Sequence, residues 1–122
     1  FKEYPIFGGA SQVAAKTALA ANDQGKYLAV HNKLFTKNGP LDNDSIMKFA
    51  ADSGLNTSKI SKALNNPKYA KQLRDNFDLA RKLGIQGTPA FIISNKAQTQ
   101  FQFIPGGIDE QRLMAAIKKA RQ

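Results

Sequence analysis

Apolar residues recur every three or four positions through the first two-thirds of the chain, then contract into short contiguous runs beyond Gly84. The first spacing predicts helices and the second predicts strands. The opening seven residues belong to neither regime. Phe1, Tyr4, Ile6 and Phe7 are strand-forming residues in partial alternation, and Pro5 with Gly8-Gly9 stops them, which predicts a strand over 1–7. The alanine-rich run 10–23, with Gly25 beyond its end, predicts a first helix. Tyr27, Leu28, His31, Leu34 and Phe35 form the apolar stripe of a second, over 26–37, which Asn38-Gly39-Pro40 ends. Asp42-Asn43-Asp44 offers capping oxygens to a third, with Ile46, Phe49 and Ala50 inward and Gly54 at its close. Asn56 or Thr57 caps a fourth carrying Ile60, Ala63 and Leu64. Pro67 starts the fifth and longest, whose stripe is Tyr69, Leu73, Phe77, Ala80 and Leu83.

After Gly84 the pattern changes. Gly87-Thr88-Pro89-Ala90 leads into the apolar run Phe91-Ile92-Ile93, a turn entering a strand. Proline has no N–H for a sheet ladder, so it belongs at a strand's first residue or edge, and Thr88-Pro89 is a bond that can be cis. The polar run 94–99 predicts a hairpin connection to a second strand, Phe101-Gln102-Phe103-Ile104. Pro105-Gly106-Gly107 then turns the chain into a last helix over 109–120, expected to bury Leu113, Met114, Ala116 and Ile117. The fold class is therefore α+β: one domain over 1–122, with a partial sheet interrupted by an insertion of about five helices over 10–84, then strand, strand and helix over 88–122.

Composition narrows the function classes. At 122 residues and 42% apolar content the chain can bury a core, and no apolar run approaches the roughly 18 residues a membrane span needs. A net charge of +9 raises nucleic acid as a partner. The lysines and arginines are spread over every segment without interleaved aromatic residues, so a solvated basic surface is the better reading and no nucleic-acid partner is expected. His31 is the sole histidine and no cysteine exists, which leaves neither a metal set nor a nucleophile pair. On the stripe with Tyr27, Leu28 and Phe35 it reads as a packing residue. Asp42-Asn43-Asp44 lacks the glycine and distal glutamate of a calcium loop, and Gly8-Gly9 lacks the rest of a phosphate cradle. No metal and no cofactor are expected.

The segment Gly84-Ile85-Gln86-Gly87-Thr88-Pro89-Ala90-Phe91, the turn Ile104-Pro105-Gly106-Gly107 and the opening Phe1-Lys2-Glu3-Tyr4-Pro5-Ile6-Phe7-Gly8 resemble the DsbA-type thiol:disulfide oxidoreductases of thioredoxin fold, most closely their Com1-like branch. The resemblance implies a protein of the periplasm or cell envelope that oxidises or isomerises disulfides in extended or unfolded exported proteins, reset by a redox partner protein. It implies that Thr88 and Pro89, after Gly87, form the cis-proline loop facing a Cys-X-X-Cys pair. There Thr88 would pair through its backbone with substrate and tune the reactive thiolate. Lys2 and Glu3 are weaker candidates for the buried charged groups such enzymes keep beneath the cysteines.

The Cys-X-X-Cys pair itself is absent. The chain therefore reads as a fragment lacking the N-terminal redox segment, inactive alone. In the family's arrangement the missing strand separates the one matching 1–7 from the one starting at Pro89. Its loss predicts a bound excised piece, a homo-oligomer formed by strand exchange, or a rearranged first strand. The alternative is a non-catalytic thioredoxin-like module that binds extended peptides. A glutathione-conjugating or isomerase relative with a non-cysteine group upstream is a further one.

Overall fold

The computed structural model describes residues 1–122, in the order α1 (Gly9–Asn22), α2 (Tyr27–Thr36), α3 (Asn43–Asp52), α4 (Thr57–Ala63), α5 (Pro67–Lys82), β1 (Ala90–Ser94), β2 (Phe101–Pro105) and α6 (Glu110–Ala120). The chain forms two compact units, Phe1–Asp78 and Leu79–Gln122. No helix is long and apolar enough to cross a membrane.

In the first unit α1 is the central element. Ala14, Ala15, Ala18, Ala20 and Ala21 are all buried, and α2, α3 and α4 each pack on it. Alanine serves both ends of this arrangement: it is the best helix former, and its short side chain lets neighbouring helices approach closely. Val30, Ile46 and Ile60, one from each of the three surrounding helices, are fully buried, and Val30 and Ile60 join the core cluster of the α1 alanines. Thr17 is also fully buried, and its hydroxyl donates to the Val13 carbonyl at 2.9 Å, so no polar atom is orphaned.

The helix ends follow the predicted caps. Asp42 accepts from the Ser45 N–H at 2.7 Å while the Ser45 hydroxyl receives the Asp42 N–H, a reciprocal capping box. Asn56, not Thr57, caps α4, accepting from Lys59 N–H at 2.9 Å. At the far end of α3, Gly54 takes a left-handed φ of +73°, and Leu55 N–H returns to the Ala50 carbonyl at 3.1 Å. Lys26 reaches the same helix end, its ammonium 3.0 Å from the Ser53 carbonyl.

Three expectations change. The strand over 1–7 is not formed, because a strand exists only with a hydrogen-bonded neighbour and the sheet holds just β1 and β2. The segment over residues 1–7 runs without a ladder partner in this chain. It is held by its own unit instead: Asn76 donates to the Glu3 carbonyl at 2.8 Å, and the Tyr4 and Phe77 rings meet edge-on at 4.8 Å. In α2 the stripe is rotated from its expected place. Val30 is the buried residue, while Leu28 and Phe35 are 55% and 76% exposed, because the helix presents to α1 the face that carries a small branched side chain. In α5 and α6, Leu83 and Met114 are 45% and 48% exposed rather than buried.

In the second unit β1 and β2 are antiparallel, with Phe91 opposite Ile104 and Ile92 opposite Phe103. Asn95 closes the hairpin, its side-chain oxygen accepting from Thr99 N–H at 2.9 Å. Side chains alternate between faces. Phe91, Ile93 and Ile104 are partly buried on the face where α6 packs, with Leu113, Ala116, Ile117 and Ala120. Ile92, Phe101 and Phe103, on the other face, are each about half exposed.

Candidate functional site

The loop at Thr88 is built by the end of α5. Gly84, at φ +69°, receives the reversal: its N–H bonds Arg81 and the Ile85 N–H bonds the Ala80 carbonyl at 2.9 Å. That pattern ends a helix with one left-handed residue, a conformation glycine enters without a Cβ clash. The chain then runs through Gly87 and Thr88 to Pro89, and the Thr88-Pro89 peptide bond is cis. The Pro89 carbonyl accepts from Gly106 N–H at 2.9 Å, which ties the loop to the turn after β2.

These segments line one open cleft of about 220 Å³, bounded by Gly84–Ala90 on one side and Phe103, Pro105 and Gly106 on the other. Gly87, Thr88 and Pro89 all line it, and Thr88 and Pro89 are exposed. No charged side chain lines it.

The ladder decides which backbone groups stay open. Gly106 bonds Pro89, and Asn95 N–H bonds the Gln100 carbonyl at 3.2 Å, so in the register between them Phe91 and Ile93 face β2. Ala90, Ile92 and Ser94 therefore turn their N–H and carbonyl groups to the unpaired edge of β1. The loop at Thr88 leads directly into that edge.

Lys2 and Glu3 lie in the first unit. Lys2 is exposed. Glu3 is not: its side chain is 16% exposed and accepts from the Tyr27 hydroxyl, and its Oε1 lies 3.3 Å from Nδ1 of His31. Burial first, then donation to Glu3, pushes the Tyr27 hydroxyl well above the usual tyrosine range. The His31 ring is packed by Phe1, Tyr27 and Phe35, with centroids 4.8, 5.3 and 4.7 Å away. His31 is thus the packing residue its stripe suggests, with polar partners besides.

Sequence reading missed this cluster, and it missed another. Asp23, just past α1, accepts from the Tyr69 hydroxyl at 2.5 Å and from Lys68 at 3.2 Å. The Tyr69 bond, then Lys68, holds the Asp23 carboxyl below its ordinary range, and burial followed by the Asp23 bond pushes Tyr69 up to about 12. Tyr27 and His31 do stand four residues apart, the one signal available. Glu3 and Asp23 meet their partners only through the fold. No group of three or more His, Asp or Glu side chains is placed to hold a metal.

A family model described as a DSBA-like thioredoxin domain matches residues 1–118. The chain belongs to that DsbA-like family. Among solved structures this DsbA-like domain is similar to a thioredoxin-like oxidoreductase from Silicibacter pomeroyi DSS-3, at 31% identity and a TM-score of 0.84 over 98% of this chain and 66% of that one. It is similar to a periplasmic thioredoxin-like protein from Salmonella enterica serovar Typhimurium at 30% identity and a TM-score of 0.79, over 98% of this chain and 64% of that one. Over 110 residues it is 26% identical to Na(+)/H(+) antiporter NhaA 1 from Salinispora arenicola (strain CNS-205), covering 90% of this chain and 16% of that protein. The chain thus spans less than two-thirds of these solved relatives and a small part of the curated one. The DsbA-like fold here is helix-rich α+β, six helices with one two-stranded antiparallel sheet.

Proposed function

We propose that this DsbA-like domain is the substrate-facing part of a thiol:disulfide oxidoreductase that works on exported proteins in the periplasm or cell envelope. The observation that carries the reading is the Thr88-Pro89 loop, exposed in a cleft free of charged side chains. An extended polypeptide can pair with such a backbone through N–H and carbonyl groups, a recognition mode indifferent to most side chains. Gly87 has no φ requirement in the left-handed region, and a Cβ there would meet nothing within 4 Å, so its value to the site is room beside Thr88.

The redox step needs a thiolate, and this chain has no cysteine. In the parent protein a Cys-X-X-Cys pair outside residues 1–122 supplies it. One cysteine thiolate attacks a substrate disulfide to form a mixed disulfide and release a substrate thiolate, and the second cysteine resolves it. The substrate disulfide is thereby reduced and the cysteine pair oxidised; the oxidase direction is the reverse. A redox partner protein resets the pair. By itself the 122-residue chain performs neither direction. Lys2 is solvent-facing and Glu3 is occupied by Tyr27 and His31, so neither is assigned a proton-transfer role.

A second reading is a non-catalytic module that binds extended peptides through the same exposed Thr88-Pro89 loop. One comparison separates the two. The full product of the gene and the 122-residue chain are assayed side by side for insulin disulfide reduction and for trapping of mixed disulfides by alkylation and mass spectrometry. Thiol-dependent turnover in the full product alone establishes the oxidoreductase. A full product without a cysteine pair that still binds unfolded polypeptide establishes the module.

A further inference from the structure

An asparagine followed by glycine is a reactive pair, because glycine has no side chain to shield its backbone nitrogen from the asparagine amide. Nine asparagines stand in this chain, and only Asn38 is followed by glycine. The fold sharpens the difference. Asn32 and Asn76 lie inside α2 and α5, where the next backbone N–H is taken by the helical ladder. Asn56 and Asn95 hold their side-chain oxygens against the N–H groups of Lys59 and Thr99, each at 2.9 Å. Asn66 precedes a proline, which has no N–H to lose. Asn38 has none of these restraints. It lies with Gly39 and Pro40 in the exposed connection between α2 and α3, outside both helices. Neither the Asn38 amide nor the Gly39 N–H makes a hydrogen bond. A Cβ on Gly39 would meet nothing within 4 Å, so the space about the pair is open. The one tie across the segment is the Lys37 ammonium, which donates to the Pro40 carbonyl at 2.6 Å.

We propose that Asn38 is a site of spontaneous self-modification, its side-chain amide being displaced by the backbone nitrogen of Gly39. Hydroxide takes the Gly39 amide proton. The nitrogen then attacks Cγ of Asn38, a new C–N bond forms, and the bond from Cγ to the side-chain nitrogen breaks. That nitrogen leaves as ammonia with a proton from water. The product is a succinimide ring spanning residues 38 and 39. Water opens the ring at either carbonyl: opening at Cγ gives aspartate, and opening at the backbone carbonyl gives isoaspartate, with the chain continuing through the former side chain. No electrons change hands, and water is the only co-reactant. Either product sets a carboxylate beside Lys37 and lowers the formal net charge from +9 to +8. The Lys37 ammonium, drawn across the loop to Pro40, favours both the loss of the amide proton and the carboxylate that results. Isoaspartate also lengthens the backbone in a connection that holds no buried residue from Lys37 to Asp42, so the helices on either side keep their packing.

The test incubates the 122-residue chain in mildly alkaline buffer and follows it by ion exchange and intact mass, with peptide mapping and fragmentation to place the change. Residue 38 is expected to gain the mass of an amide-to-acid exchange about tenfold faster than any other asparagine, at a rate that rises with pH. A protease that cleaves at aspartate but not at isoaspartate is expected to find both products. The N38S variant is expected to form no early acidic species and to unfold at the same temperature as the parent chain. A synthetic peptide of residues 34–44 supplies the unrestrained rate, and the folded chain is expected to match it within about threefold, because the loop is open without unfolding. Conversion spread evenly over several asparagines overturns the proposal, as does an early acidic species that persists in N38S. Conversion at residue 38 more than about tenfold slower than in the peptide also overturns it, by showing that the fold protects the pair.

Discussion

The side-chain amide of Asn76 donates to the backbone carbonyl of Glu3 at 2.8 Å, joining α5 to a segment 73 residues earlier in the chain. Asn76 is 8% exposed, so its side-chain amide is largely withheld from water. Replacing it with leucine removes the donor and leaves a carbonyl without a partner, at a cost of about 1–3 kcal/mol. The N76L variant is expected to unfold at a lower urea midpoint and to lose amide protection over residues 1–7 before the rest of its unit. Coincident loss everywhere would show that the segment is not separately held.

The two tyrosine clusters set an alkaline limit. The Tyr69 hydroxyl is pushed up to about 12 and that of Tyr27 is raised further beyond the ordinary value of 10, so both are bound in their protonated forms. A folded-state value above the unfolded one contributes stability that is complete below about pH 10 and is lost as pH rises through the folded value. Stability is therefore expected to fall between about pH 10 and 12, and ultraviolet titration to show two tyrosines ionising late. The Y69F variant removes one late step. Asp23 works in the opposite direction: its lowered value contributes stability present above about pH 4 and lost as pH falls, and Y69F diminishes that dependence too.

Ile60 of α4 and Leu28 on the rotated stripe of α2 give a contrast between two apolar positions of similar size. Ile60, fully buried against α1, should cost about 2–5 kcal/mol on truncation to alanine. Leu28, 55% exposed, should cost less than about 0.5 kcal/mol, although the sequence places it on the apolar face. Thermal denaturation of L28A, with I60A as the buried reference, decides whether α2 turns Leu28 away from the core as described.

The glycines of the loop separate structure from function. Gly84 holds φ at +69°, so G84A is expected to destabilise by about 1–2 kcal/mol through Cβ strain alone. Gly87 has no such φ and open space around it, so G87A should leave the melting temperature unchanged or slightly higher. A loss of peptide binding in G87A with unaltered stability would assign Gly87 to the site itself. Equal destabilisation in both variants would show the loop to be tighter than the cleft suggests.

The Asn56 cap is a local counterpart to these long-range contacts. N56A exposes the first turn of the seven-residue α4 and is expected to cost about 1 kcal/mol, read as a shift in urea midpoint at constant slope.

Much of the fold is legible in short-range sequence signals. Five helices, two strands and a last helix appear where periodicity, alanine content, Pro67, Gly54 and Gly84 place them, because these signals act over one or two turns and need no distant partner. The loop Gly87-Thr88-Pro89 is legible for the same reason, being a local turn with a proline at the strand's mouth. The state of residues 1–7 is not, because a strand is a relation between two segments and aromatic alternation says nothing about whether a neighbour is present. The choice of Val30 over Leu28 and Phe35 belongs to the packing of α2 on an alanine face, which depends on the approach of helices distant in sequence. So do the meetings of Glu3 with Tyr27 and His31, of Asp23 with Tyr69, and of Asn76 with Glu3. Sequence alone determined the local elements and the chemistry the chain lacks. The tertiary structure decided which faces are dry, which polar groups find partners across tens of residues, and which strand edge stays open, because each of those is set by long-range contact.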